Sequence, residues 1–199
     1  LNVVTEITEF KSDNWFDGHF REIMGDDRID FAKTVTFLQP EEKKSDNPFF
    51  EEEKGLDYKF IKDHWYQSYW GRMVSWRGEF NQIENVIKIL STGKAVKRCE
   101  LIIFDPTKDA RNPYSQPCMC MIDLKPRNGK LYLTSVLRSN RVSKSGYADY
   151  TALTEMGHFL AKQSGLELGK VTTLACSCHI GDMDNEKKKT IKLLEVLNR

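Results

Sequence analysis

The chain has no long apolar run: its richest stretches, such as Leu101-Ile102-Ile103-Phe104, fall far short of the roughly 20 residues a membrane helix needs. No membrane partner is expected. Charge of one sign is missing too, since 30 Lys and Arg face 29 Asp and Glu, a formal net charge of +1. A global field that would gather nucleic acid is excluded, and any anion site must be local. The opening LNVVTEITEFK lacks the basic start and apolar run of a secretion leader, and the five cysteines are an odd number. Both point to free thiols in a reducing, cytoplasmic setting. No internal repeat is present. What remains is 199 residues, 40% hydrophobic and 30% charged, which suit a single domain over 1–199 with a sizeable core.

Residues 1–55 mix charged and aromatic side chains without a clear period, and EEKKSDNPFFEEEK (41–54) reads as a solvated loop. From Phe80 the pattern sharpens. Phe80, Ile83, Val86, Ile87 and Leu90 recur at helical spacing, and Gly93 stands just past them as a stop. CELIIFDP (99–106) reads as a strand closed by Asp105-Pro106, with a loop following through Asn112-Pro113 to Pro117. The runs 118–124 and 130–137 flank Asn128-Gly129, the dipeptide whose tolerance of positive φ suits a tight antiparallel hairpin. Residues 151–163 read as a helix, 170–180 as a strand and 186–199 as a last helix. Strands and helices mix without strict β-α-β alternation, so an α+β layered fold is expected.

Two Cys-x-Cys pairs, Cys118/Cys120 and Cys176/Cys178 with His179 beside it, raise the question of zinc. Structural zinc usually takes knuckles of wider spacing in turns, whereas these pairs fall within predicted strands, where alternate residues share a face. A disulfide conflicts with a reducing compartment. A buried cysteine acting as a small apolar residue is the commonest fate and suits Cys99. Cys118 differs by position, since it opens a strand directly after a proline-bearing loop, where a thiol can face a cavity.

Pro117-Cys118, Arg138-Ser139, the helix from about 151 and Cys178-His179-Ile180 follow one another with the order and spacing of the thymidylate synthase family, which the chain resembles from Lys97 to about His179. Lys97-Arg98 stand where the family has paired arginines, Phe104-Asp105-Pro106 resembles its Trp-Asn-Pro, and Trp70-Gly71-Arg72 resembles its Tyr-Gly-Lys. The match lies mainly in 70–181. The resemblance implies an α+β fold with a mixed or antiparallel sheet layered with helices. It also implies a thiolate that adds to pyrimidine C6 and makes C5 nucleophilic towards the one-carbon unit of 5,10-methylenetetrahydrofolate. Cys118 would be that nucleophile, with Trp70 in the place of the family's catalytic tyrosine. Arg138 and Ser139 would hold the 5′-phosphate of a pyrimidine nucleoside monophosphate, and His179 the sugar. Lys97 and Arg98 would reach the phosphate across a homodimer with shared sites. Each has a plainer reading: a solvated cation for the Arg and Lys residues, a satisfied histidine for His179, a core aromatic for Trp70.

Asp149 stands eleven positions after Arg138, where thymidylate synthases carry asparagine. An amide serves uracil, donating to O4 and accepting from N3–H. Cytosine reverses both needs, and a protonated carboxyl group can meet them. Asp149 could instead cap the following helix. Aspartate here resembles the cytidylate hydroxymethylase branch, in which water captures the C5 methylene to give a 5-hydroxymethylcytosine nucleotide. Methylation of dUMP and a non-catalytic nucleotide-binding relative are the alternatives.

Several positions depart from the family. Met119 replaces the histidine after the nucleophile, Asn140-Arg141 replace Cys-Asp, and Gly181 replaces a sugar-binding tyrosine, which leaves ribose and deoxyribose both open. No Arg-Thr-Gly-Thr phosphate loop is found, and Glu51, Glu52 and Glu53 occupy the broad region of the proton-relaying acid. The sequence ends at Arg199, where the family would continue to a folate-covering tail.

Overall fold

The computed structural model describes residues 3–7, 50–51, 55–56, 66, 68–94, 96–111, 116–142, 146–180 and 184–197. Its centre is a five-stranded mixed sheet of β1 (Val3–Ile7), β8 (Glu167–Ala175), β6 (Lys130–Leu137), β5 (Met119–Arg127) and β4 (Glu100–Ile102), in that spatial order. Only β6 and β8 run parallel; the other pairs are antiparallel. Small two-stranded pairs join β2 (Phe50–Glu51) to β3 (Gly55–Leu56), and β7 (Asn140–Arg141) to β9 (Cys178–His179). The helices are α1 (Tyr69–Val74), α2 (Gln82–Leu90), α3 (Tyr147–Gln163) and α4 (Asp184–Leu197).

The hairpin of β5 and β6 closes where the sequence places it. Arg127 pairs with Lys130, and both loop residues take positive φ, Asn128 at 50° and Gly129 at 74°, the conformation that lets a two-residue turn match the strands' twist. Alternation along the strands puts Leu101, Ile122, Leu124, Leu131, Leu133, Leu137 and Val171 on one face, where they pack with Leu153, Met156 and Leu160 of α3 and with Ile83, Val86 and Leu90 of α2. Each such side chain contributes about 1.5–3 kcal/mol by leaving water. Gly157 lets α3 approach closely, since a Cβ there would meet a Leu168 methyl at 3.0 Å.

The edge strand β4 is partly closed by a side chain. The Gln82 amide donates to the Ile102 carbonyl at 2.7 Å and accepts from its N–H at 2.8 Å, which satisfies edge groups a neighbouring strand would otherwise pair. The other face of the sheet carries a further apolar row. Ile102, Met121, Val136 and Leu174 are cross-strand partners in one row. Ile102 is 42% and Leu174 36% exposed.

Several boundaries differ from the sequence reading. Phe80 precedes α2 and is 49% exposed, because Asn81 caps the helix by accepting from Glu84 N–H at 3.1 Å. Helix α3 starts at Tyr147 rather than 151. The strand expected over 170–180 begins at Glu167 and ends at Ala175, before the separate pair at Cys178–His179. Within the stretch expected to be loop, Phe50–Glu51 form a short strand. Among the described residues no helix is long and apolar enough to cross a membrane.

Candidate active site

Cys118 is the half-buried residue that precedes β5. Its carbonyl accepts from Arg138 N–H at 2.8 Å. On the other side, the hydroxyl of Tyr69 in α1 accepts from the N–H of Cys118 at 3.2 Å and of Met119 at 3.4 Å. Burial, then the nearby Asp149 and Cys118, raise the Tyr69 phenol well above its ordinary pKa, so it keeps its proton.

The strand is irregular at this point. Pairing with β6 slips between Met119 and Met121, which leaves Cys120 as an extra residue in a bulge. The Cys120 carbonyl accepts from both Ile103 N–H at 2.9 Å and Phe104 N–H at 3.0 Å. Such bulges re-aim side chains next to functional sites. The expectation that both cysteine pairs lie inside strands and share a face is therefore corrected: Cys118 lies before β5, Cys120 is on the bulge, and Cys176 is exposed at the bend after β8. All five cysteines are free thiols. Among the described residues no cluster of three or more His, Cys, Asp or Glu could hold a metal.

Arg138 ends β6 and folds its guanidinium back over the approach to Cys118, donating from Nε to the Pro117 carbonyl at 3.0 Å and from Nη2 to the Gln116 carbonyl at 2.9 Å. Burial pushes the Cys118 thiol up. The Arg138 and Arg141 charges pull it down, while Asp149 and Cys120 push it up. Arg141 stands in β7 opposite His179 of β9.

Asp149 lies in the first turn of α3 and is 8% exposed. It does not cap the helix, since the capping residue is Gly146, with no side-chain hydrogen bond. A helix N-terminus favours a carboxylate, yet desolvation outweighs that here and raises the Asp149 pKa to about 7.

The fold thus gathers Cys118, Arg138 and Asp149 near the end of the sheet where β5 begins and β6 finishes, with Ser139, half-buried, next to Arg138. His179 is exposed in β9. Lys97 and Arg98 are exposed on the chain entering β4 and are not among the charges acting on Cys118. Trp70 is buried in the core at 5% exposure. Its neighbour Tyr69, which the sequence reading passed over, is the α1 aromatic that meets the backbone of Cys118; a six-residue helix leaves no periodicity to single it out. Glu52, Glu53 and Gly181 lie outside the described residues.

The sequence model of the thymidylate synthase family matches residues 32–195. The chain belongs to the thymidylate synthase family. A relative from Methanococcoides burtonii, named "Putative thymidylate synthase", is 33% identical over 126 residues, covering 63% of this chain and 58% of its own length. A relative of the same name from Methanocaldococcus jannaschii is 32% identical over 128 residues, covering 60% and 57%. The aligned part is thus under two thirds of these relatives' length. The crystal structure of thymidylate synthase from T4 phage superposes with a TM-score of 0.59 over 96% of this chain and 70% of that one, at 19% identity. The α+β layering around a mixed sheet is that of the thymidylate synthase fold.

Proposed function

We propose that this thymidylate synthase-family chain is a one-carbon transferase of nucleotide biosynthesis that hydroxymethylates C5 of a cytidine monophosphate, CMP or dCMP. The observation that carries the reading is the buried Asp149 carboxyl, its pKa raised to about 7 by desolvation, close enough to Cys118 to act on its thiol. Protonated, it can donate to cytosine N3 and accept from the 4-amino group, where a carboxylate would face the N3 lone pair. A mismatch of buried polar groups is costly, which makes the pair selective.

The thiolate electron pair of Cys118 forms a bond to C6, and the C5–C6 π pair moves onto C5 and, through C4, onto N3. The Asp149 hydrogen bond to N3 strengthens as charge grows there, so it favours the transition state over the bound substrate. Tyr69 fixes the backbone that carries the sulfur. Arg138 and Ser139 bind the phosphate, and His179 the sugar. The donor is 5,10-methylenetetrahydrofolate, which would supply the methylene that becomes the hydroxymethyl carbon. Trp70, buried in the core, is not exposed to receive a pterin ring.

The second element of the proposal is a homodimer, in which Lys97 and Arg98 of a second copy complete the phosphate site. The apolar row Ile102, Met121, Val136 and Leu174, exposed at its two outer members and half-buried at Met121 and Val136, supports it, because an apolar patch left partly open to solvent marks an interaction surface.

Calorimetric titration of the Cys118→Ser variant with CMP, dCMP and dUMP tests the base assignment. Cytidylates are expected to bind more tightly than dUMP, and more tightly below about pH 7 than above it. Tighter binding of dUMP would replace the proposal with methylation of dUMP, the reaction that the relatives' name denotes. Cytidylate binding without any turnover would leave a non-catalytic nucleotide-binding protein.

A further inference from the structure

The anchoring of Arg138 extends deeper than the phosphate site requires. Its Nη2 donates to the Gln116 carbonyl at 2.9 Å. The side chain of the same Gln116 donates from Nε2 to the Asp109 carbonyl at 3.2 Å. The Asp109 carboxylate in turn takes a bidentate pair from Arg72 of α1, Nη1 to Oδ2 at 2.6 Å and Nη2 to Oδ1 at 2.8 Å, with both side chains nearly buried. It also accepts from Asp105 N–H at 2.7 Å. Arg72 uses its remaining reach on the Tyr66 carbonyl at 3.0 Å and the Ile103 carbonyl at 2.8 Å. A bidentate guanidinium–carboxylate pair is both strong and geometrically specific, so Asp109 is a fixed point in the fold.

We propose that Gln116 is a positioning residue that ties Arg138 to the buried Arg72–Asp109 pair and so fixes the guanidinium beside Cys118. The inference rests on the reading of Cys118 as the nucleophile and Arg138 as its neighbouring cation. Gln116 joins the two halves of the device: its side chain holds the anchored loop, and its main-chain carbonyl receives the arginine. With Nε and Nη2 committed to carbonyls 117 and 116, the guanidinium cannot rotate without losing two hydrogen bonds. Its charge is thereby presented to the thiol before any nucleotide arrives, an instance of preorganisation. The groups that act on that thiol are Arg138, Arg141, Asp149 and Cys120, with Tyr69 on its backbone N–H. Of these, Arg138 is held through Gln116.

The test is the pH profile of Cys118 alkylation by iodoacetamide in the free protein, with the modified cysteine identified by peptide mass spectrometry. Gln116→Leu removes the donor and keeps the bulk. It is expected to move the profile to higher pH and to slow alkylation about threefold at a fixed pH below the thiol's pKa, because the thiolate is the reacting species. Arg138→Met is expected to do the same, and adding Gln116→Leu to Arg138→Met is expected to change nothing further, the signature of two residues acting as one unit. Gln116→Met, close in size and with neither a donor nor a charge, must reproduce the effect, which separates it from any folding defect peculiar to leucine. An unshifted profile, or effects that add in the double variant, would overturn the proposal. No nucleotide is present, so a chain that alkylates as expected yet fails to turn over cytidylate contradicts the proposed reaction and leaves this inference intact.

Discussion

The hydroxyl of Tyr69 accepts hydrogen bonds from two consecutive backbone N–H groups, those of Cys118 and Met119. A phenol of α1 therefore does at the head of β5 what a neighbouring strand would do further along it. Tyr69→Phe leaves both donors without an acceptor in a part-buried place. Stability should fall by about 1–3 kcal/mol in urea titrations, the cost of orphaned buried polar groups. Turnover should drop with it, because the sulfur's carrier strand loses its tether. A variant as stable as the parent would show that water replaces the phenol.

The Arg72–Asp109 pair should behave as a buried ion pair. Asp109→Ala leaves a guanidinium at about 5% exposure without its counter-charge, and the loss should reach about 3–5 kcal/mol. Unlike a surface bridge, it should depend little on added salt. Thermal unfolding at low and high ionic strength checks this, and a loss below about 1 kcal/mol would place the pair among weak surface bridges.

Asp149 sets the sign of a pH effect on stability. Its pKa is raised from the ordinary aspartate range to about 7 in the folded chain, so the folded state holds the proton longer than the unfolded one. Relative to Asp149→Asn, the parent is expected to be most stable below about pH 4 and to lose ground as pH rises towards about 7, by up to about 4 kcal/mol. Denaturant midpoints of the two proteins across that window measure it. A difference that stays constant with pH would mean that the carboxyl is ionised when buried.

Local chemistry made part of this legible in sequence. Asn128-Gly129 fixed the hairpin because both positions need positive φ, and the period of Ile83, Val86 and Leu90 announced the buried face of α2. Cys118, Arg138, Ser139, Asp149 and His179 are assigned to the proposed site through spacing that resembles a family, not through any property each shows alone. The bulge at Cys120 left no mark in the sequence, because it goes with Ile103 and Phe104, just past β4, both donating to its carbonyl. Tyr69 and Gln116 were missed for a similar reason: their roles depend on hydrogen bonds across 49 and 7 positions. The protonated state of Asp149 likewise follows from burial, and a carboxyl group near a helix start is read more simply as a cap.

The apolar row on the open sheet face yields a prediction about assembly. Val136 lies between Met121 and Leu174 in that row. Val136→Glu would place a carboxylate in the middle of a dry interface, and light scattering should show the dimer replaced by monomer. Activity should fall in parallel, since Lys97 and Arg98 would no longer reach the second site. A parent that is monomeric, or a variant that remains dimeric, would remove this face as the contact.

The central claim is that the Cys118 sulfur adds to C6 of a cytosine ring whose amino edge Asp149 reads. Release of tritium from 5-tritiated CMP, dCMP and dUMP, measured for the parent and for Cys118→Ser and Asp149→Asn, tests it most directly. Label should leave the cytidylates faster than dUMP, the serine variant should lower release by about a thousandfold or more, and the asparagine variant should shift preference towards dUMP. Faster release from dUMP by the parent, or release that survives loss of the Cys118 sulfur, would contradict the account.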